Sequence, residues 1–105
     1  MRIISYSKLR RFWQMPHQGD ACKPLTQWYD IADSIQWKNP AQVKQSFGAA
    51  VDFVKVKSGN TVAVFDIHSN KYRLIASIHY DYPRVFVLRI MTHEEYDKNY
   101  WRYEL

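Results

Sequence analysis

The hydrophobic pattern changes period partway along the chain. In the first half, apolar residues recur every three or four positions, the repeat of a helix with one buried face. A short apolar start at Arg2–Ile4 reads as a strand, and Ser5 after it is a residue type that caps helices. Leu9, Phe12 and Trp13 then supply one apolar helical face, and Pro16, Gly19 and Asp20 break the pattern. The longest stripe is Leu25, Trp28, Tyr29, Ala32 and Ile35. Pro24 suits the first position of that helix, having no N–H to lose there. Asn39-Pro40 is a cap-and-start pair for a shorter helix carrying Val43 and Phe47 and ending near Gly48.

From about Val51 to Met91 the pattern is that of strands separated by turns at Ser58-Gly59-Asn60, Ser69-Asn70 and Asp81-Tyr82-Pro83. Turns this short make neighbouring strands antiparallel. Tyr72, Leu74, Ala76, Ile78 and Tyr80 alternate with Lys71, Arg73, Ile75, Ser77 and His79. The first set should face the helices, and the second should form a basic, partly polar opposite face. Phe86, Leu88 and Ile90 are expected on the core side, with Arg89 turned away. Lys55 and Lys57 share a face, and aligned registers would join them with Arg73 and Arg89 in one cationic surface. A last short helix begins at Thr92, where Thr92 and Glu95 match a capping box. Glu94, Glu95 and Asp97 complement its dipole. Residues from about Asn99 onward are expected to form a loosely attached tail. The pattern predicts a single α+β domain over residues 1–105, with N-terminal helices packed on a small, mainly antiparallel sheet and a short C-terminal helix.

Composition narrows the partners. Hydrophobic residues at 47% suffice for a core, and 24% charged residues argue against disorder. A net charge of +5 favours an acidic partner, either nucleic acid or an acidic protein. The lone Cys22 excludes an internal disulfide, fits a reducing cytosol and reads as a structural thiol near a helix start. The first residues lack a signal-peptide apolar region, and no apolar run approaches the roughly 20 residues of a membrane span. A soluble cytoplasmic protein with no membrane partner is expected.

Cutting RNA without a metal needs a group to take the 2′-hydroxyl proton, a group to protonate the departing 5′-oxygen, and a cation on the phosphate. His93 and Tyr96 stand three residues apart in the last helix, so their side chains project from neighbouring positions. Backbone N–H groups at the strand-to-helix junction also suit a phosphate. Arg73 offers a forked, permanently charged clamp. His17 falls in a loop, His68 close to a turn, and His79 on the strand face of Arg73. The four histidines show no metal spacing, and three glycines leave no phosphate-binding glycine motif. No metal or cofactor is expected.

Three segments resemble the HigB family of toxins, within the RelE-like messenger-RNA interferases. They are Lys23-Pro24-Leu25-Thr26-Gln27-Trp28-Tyr29 continuing to Trp37-Lys38-Asn39, Val64-Phe65-Asp66-Ile67 with Asn70-Lys71-Tyr72-Arg73-Leu74-Ile75, and Thr92-His93-Glu94-Glu95-Tyr96-Asp97-Lys98. The resemblance implies a RelE-like fold and a toxin neutralised by a HigA-like helix-turn-helix antitoxin. It also implies cleavage of messenger RNA, commonly in association with the ribosome. Arg73 matches the family's Asn-x-Tyr-Arg position, and His93 and Tyr96 match Thr-His-x-x-Tyr. The arginine before the last motif stands one position earlier in many relatives, where this chain has Leu88. One residue in a strand reverses side-chain direction, which sets Arg89 apart.

Together these readings give a metal-independent endoribonuclease toxin. His93 would serve as acid or base, Arg73 would stabilise the phosphate, and Tyr96 would position the nucleotide or assist proton transfer. Lys55, Lys57, Lys71 and Arg89 would guide the RNA. The competing expectations are a non-catalytic RNA- or protein-binding module of the same fold, or a degenerate toxin with a regulatory role.

Overall fold

The computed structural model describes residues 1–105. In chain order the elements are β1 (Arg2–Ile4), α1 (Tyr6–Trp13), α2 (Cys22–Ser34), α3 (Pro40–Phe47), β2 (Val51–Lys55), β3 (Thr61–Ile67), β4 (Tyr72–His79), β5 (Arg84–Thr92), α4 (His93–Asp97) and α5 (Tyr100–Glu104). Short 3-10 turns at Gly19–Ala21 and Gly48–Ala50 precede α2 and β2. The strands form one sheet in the order β1-β5-β4-β3-β2. Only the β1–β5 pair is parallel. The α+β class is as expected. No helix is long and apolar enough to cross a membrane.

Helices α1 to α3 bury their apolar stripes on one face of the sheet. Leu9, Phe12, Leu25, Trp28, Ala32 and Val43 meet Val51, Phe65, Tyr72, Leu74 and Ala76 in the main core. Edge-to-face pairs hold the layers together: Trp28 on Phe65 at 5.4 Å, Phe47 on Phe65 at 4.9 Å, and Phe12 on Tyr72 at 5.2 Å.

Helix α3 starts as its sequence predicts. Asn39 Oδ1 accepts the Gln42 N–H at 3.1 Å and Pro40 opens the helix. Three details differ. Ser5 makes no side-chain cap; it sits at φ 74 because the chain must reverse from β1 into α1 within one residue. Pro24 is the third residue of α2, still within the first turn, where its missing N–H costs nothing. Ile35 lies beyond the end of α2 in extended conformation and is exposed. Cys22 opens α2 with its thiol exposed, so it fills no core space.

The second face of the sheet is not the open basic surface expected. Val56, Val62, Val64, Ile75, Met91 and Trp101 form a second, smaller core on it. Trp101 comes from α5, is 2% exposed, and donates its indole N–H to Tyr96 O at 3.1 Å. The C-terminal segment is therefore a packed element and not a loose tail.

Strand β5 also departs from simple alternation. Ile75 pairs with Arg89 while Ala76 pairs with Val87, so Leu88 is an extra residue in a β-bulge. Ile90, Val87 and Val85 consequently face the helices, whereas Phe86 and Leu88 do not; Leu88 packs on the second core. Arg89 points away from the main core, as expected.

The cationic surface does not assemble either. Lys55 pairs with Thr61 and shares the face of Val51 and Phe53, which point to the helices, while Arg73 pairs with Asp66 on the other face. Lys57 lies past the end of β2, donates its backbone N–H to Arg102 O at 2.9 Å, and rests its ammonium over the Tyr103 ring.

Since Trp101 anchors α5, Trp101→Ala should cost about 3 kcal/mol or more of stability in urea unfolding. A loss below about 1 kcal/mol would mean that α5 contributes little.

Candidate active site

The site is built where the β3–β4 hairpin, the α1–α2 loop and the β5–α4 junction meet. His68 and Ser69 both adopt left-handed backbone, at φ 54 and φ 59, which matches the twist of a tight hairpin. That turn fixes the register Asp66 to Arg73. Arg73 is thereby placed on the second face and is 7% exposed.

Its charge is neutralised and its donors are largely engaged. Nε lies 3.1 Å from Asp66 Oδ1. Nη1 donates to Asn70 O at 3.0 Å and Tyr72 O at 3.2 Å, and Nη2 donates to Asn70 Oδ1 at 2.7 Å. The guanidinium carbon lies 5.2 Å from the Tyr96 ring centroid, and Tyr96 stacks on Trp101 at 5.1 Å. The structure thus joins Arg73 to Tyr96, in a bracing unit beneath the Asn70 turn.

Across the hairpin, Asp20 ties the α1–α2 loop to the start of β4. It accepts a hydrogen bond from Tyr72 OH at 2.6 Å and another from the Lys71 ammonium. His68 Nε2 stands 3.6 Å away. The hydrogen bonds from Lys71, then Tyr72, hold the Asp20 carboxyl below the usual carboxylate range. The same bond raises the Lys71 ammonium. Burial, and then the bond to Asp20, raises the Tyr72 phenol.

Beside this tether lies an open cleft of about 510 Å³. Pro16, His17 and Gln18 line one part, and Asn70, Lys71 and Tyr72 another. Thr92, His93 and Glu94 complete it. His93 is half exposed, with Nε2 3.4 Å from Asp97 Oδ2. Its backbone N–H donates to Lys71 O at 2.9 Å, which locks α4 to the hairpin.

The capping box forms as expected, Thr92 Oγ1 accepting the Glu95 N–H at 3.2 Å and Glu95 Oε1 the Thr92 N–H at 3.3 Å. Three backbone donors at the junction are therefore occupied, so the N–H groups expected to cradle a phosphate are mostly spent. The structure brings His93 and Lys71 to the cleft and leaves Tyr96 outside its lining. His79 is stacked on Tyr82 at 5.0 Å, six residues along β4 from Arg73, about 20 Å by strand rise.

A second groove, about 360 Å³, runs between α1 and the exposed edge of β5. Lys8, Arg11 and Arg89 line it, and none forms an ion pair with a carboxylate. Lys8 Nζ donates to Val87 O at 3.2 Å, and Arg89 Nη1 to Leu88 O at 3.1 Å. Met15 borders this groove and the next residue, Pro16, borders the cleft; on β5, Ile90 borders the groove and Thr92, two residues on, the cleft. Sequence reasoning missed Lys8, Arg11 and Asp20. Lys8 and Arg11 carried a legible signal, two cations at helical spacing beside the Leu9–Phe12 stripe. Asp20 carried none, because its partners lie far along the chain.

The mixed sheet under helices, with a short helix after the last strand, is compatible with the RelE-like class of toxins. The family model described as HigB toxin, a RelE-like toxic component of a toxin-antitoxin system, matches residues 21–99, and the chain belongs to that family. It is the toxin of a toxin-antitoxin system, and an antitoxin is its partner. No curated protein matches the chain.

The tether has a defined pH signature. A lowered carboxyl adds stability above roughly pH 4 and loses it as pH falls through the folded value. The raised Tyr72 and Lys71 add stability below roughly pH 10 and lose it as pH rises through theirs. The difference in urea midpoint between wild type and Asp20→Asn should be flat from about pH 5 to 9 and shrink beyond both ends. A difference that is unchanged at about pH 3 would contradict the assignment.

Proposed function

We propose that the chain, acting as a single domain over residues 1–105 in the cytoplasm, is a metal-independent endoribonuclease that cuts messenger RNA in association with the ribosome. The observation that carries this reading is the exposed His93 imidazole on an open cleft shared with Lys71. His93 takes part in proton transfer, with Asp97 beside it to stabilise the imidazolium. Lys71 presents a positive charge to the phosphate. The 2′-oxygen attacks the adjacent phosphorus and the 5′-oxygen leaves, giving a 2′,3′-cyclic phosphate and a 5′-hydroxyl.

The engaged donors of Arg73 change its expected part. Arg73 and Tyr96 hold the Asn70 turn and α4 in place, and so position the cleft that the substrate enters. The RNA backbone approaches along the groove of Lys8, Arg11 and Arg89. Of the cations expected to guide RNA, Lys71 and Arg89 keep that role, while Lys55 and Lys57 lie off this path. A HigA-like helix-turn-helix antitoxin is the proposed neutralising partner.

The engagement of most Arg73 donors favours one competing reading, a module that binds RNA or protein without cutting. RNA-end sequencing after brief expression separates the two. Wild type should produce new 5′-hydroxyl ends and His93→Ala should reduce them by about 100-fold or more. Normal RNA binding with no new ends, even with ribosomes present, would decide for the module.

Tyr96 makes no hydrogen bond through its hydroxyl, so Tyr96→Phe should cut within a few-fold of wild type, whereas Tyr96→Ala should lose stability. A Tyr96→Phe loss of about 100-fold would instead give the hydroxyl a chemical role. Arg11→Ala with Arg89→Ala should weaken RNA binding across sequences and lower the salt slope by about one for each phosphate contact removed.

A further inference from the structure

The proposed cleavage moves two protons, one from the 2′-hydroxyl and one onto the 5′-oxygen, yet the family resemblance places only one imidazole in the cleft. Tyr96 does not line it. Lys71 donates to Asp20, an arrangement that keeps its ammonium protonated and suits it to hold charge. The cleft has one other imidazole. His17, exposed, stands on the α1–α2 loop across from the β5–α4 junction that carries His93. It lies outside residues 21–99, so the family match gives it no part.

The loop bearing His17 is both strained and tied down. His17 adopts φ 65, a left-handed conformation that most side chains avoid and that Asn and His enter most readily. The next residue, Gln18, buries its side-chain oxygen without a hydrogen-bond partner. A left-handed residue beside an unsatisfied polar atom marks a segment whose geometry is maintained at a cost, as occurs at functional sites. The Asp20 bonds to Lys71 and Tyr72 hold the loop against the cleft. His93 has Asp97 to stabilise it after it accepts a proton, whereas His17 has no carboxylate partner within ion-pair distance.

We propose that His17 is the second catalytic residue, the acid that protonates the departing 5′-oxygen, while His93 is the base. This rests on the endoribonuclease reading. His93 takes the 2′-hydroxyl proton as the O2′–P bond forms. The P–O5′ bond breaks and O5′ receives the proton of His17. His93 ends protonated and His17 neutral, and exchange with water resets both.

The test uses the full chain and two short RNAs, one ordinary and one with sulfur in place of the scissile 5′-oxygen, each free and bound to ribosomes. A sulfur leaving group needs no proton. The variant is His17→Asn, since Asn tolerates the left-handed backbone and keeps the loop; circular dichroism and the urea midpoint confirm the fold. His17→Asn should cut the ordinary RNA about 100-fold or more slowly than wild type and the sulfur RNA within a few-fold. His93→Ala should be slow on both. Wild-type cutting of ordinary RNA by His17→Asn, or an equal loss on both RNAs, overturns the assignment alone. If folded wild type cuts neither RNA in either setting, the endoribonuclease reading fails, and this assignment fails with it.

Discussion

The arrangement of the site depends on one carboxylate. Asp20 stands in the loop between the first two long helices and binds two side chains at the start of β4. Without it, the hairpin end and the loop would be neighbours held only by packing below them. With it, the loop, the hairpin and, through the Lys71 carbonyl, the last strand-to-helix junction form one connected frame. The tether is partly exposed and acts mainly by fixing positions, since ion pairs near water add little net energy. Folding energy comes from elsewhere, chiefly the aromatic and aliphatic layers on either side of β4.

Strand β4 explains why the sequence was only half transparent. Its alternation of Tyr72, Leu74 and Ala76 was readable because those residues pack on the helices with a period of two. Its other face was misread because Arg73 and His79 made it look polar. Ile75 was the clue: a wholly buried residue among them needs a cover, and α5 supplies it through Trp101. A five-residue helix with two exposed tyrosines has a weak apolar signal of its own, and so its docking was hidden.

At the site, the difference between local and distant relations decided what could be read. The Thr92–Glu95 box and the Asn39 cap involve residues three apart and were legible from spacing. His93 was found by type and by resemblance, and the cleft gives it solvent access. Arg73 was also singled out, yet its burial and its ties to Asp66 and Asn70 depend on a hairpin register that alternation alone does not specify. Lys55 was joined to Arg73 only on condition of aligned registers, and the registers place the two on opposite faces. Asp20 belongs to a segment that read merely as a break, and His17 was weighed there only as a histidine in a loop. Loops are often where function sits on a rigid scaffold, and their chemistry appears only once the scaffold is placed.

The bulge at Leu88 has a consequence for how such a chain tolerates change. Two consecutive residues there face one partner, Ile75, so the strand contains slack for a single residue. An arginine at either of the two positions would emerge near the same stretch of the β5 edge. Past the bulge the pairing is regular again through Arg73–Met91 and Tyr72–Thr92. A length change before the last helix can thus be absorbed locally, without transmitting a frame shift to the histidine that follows.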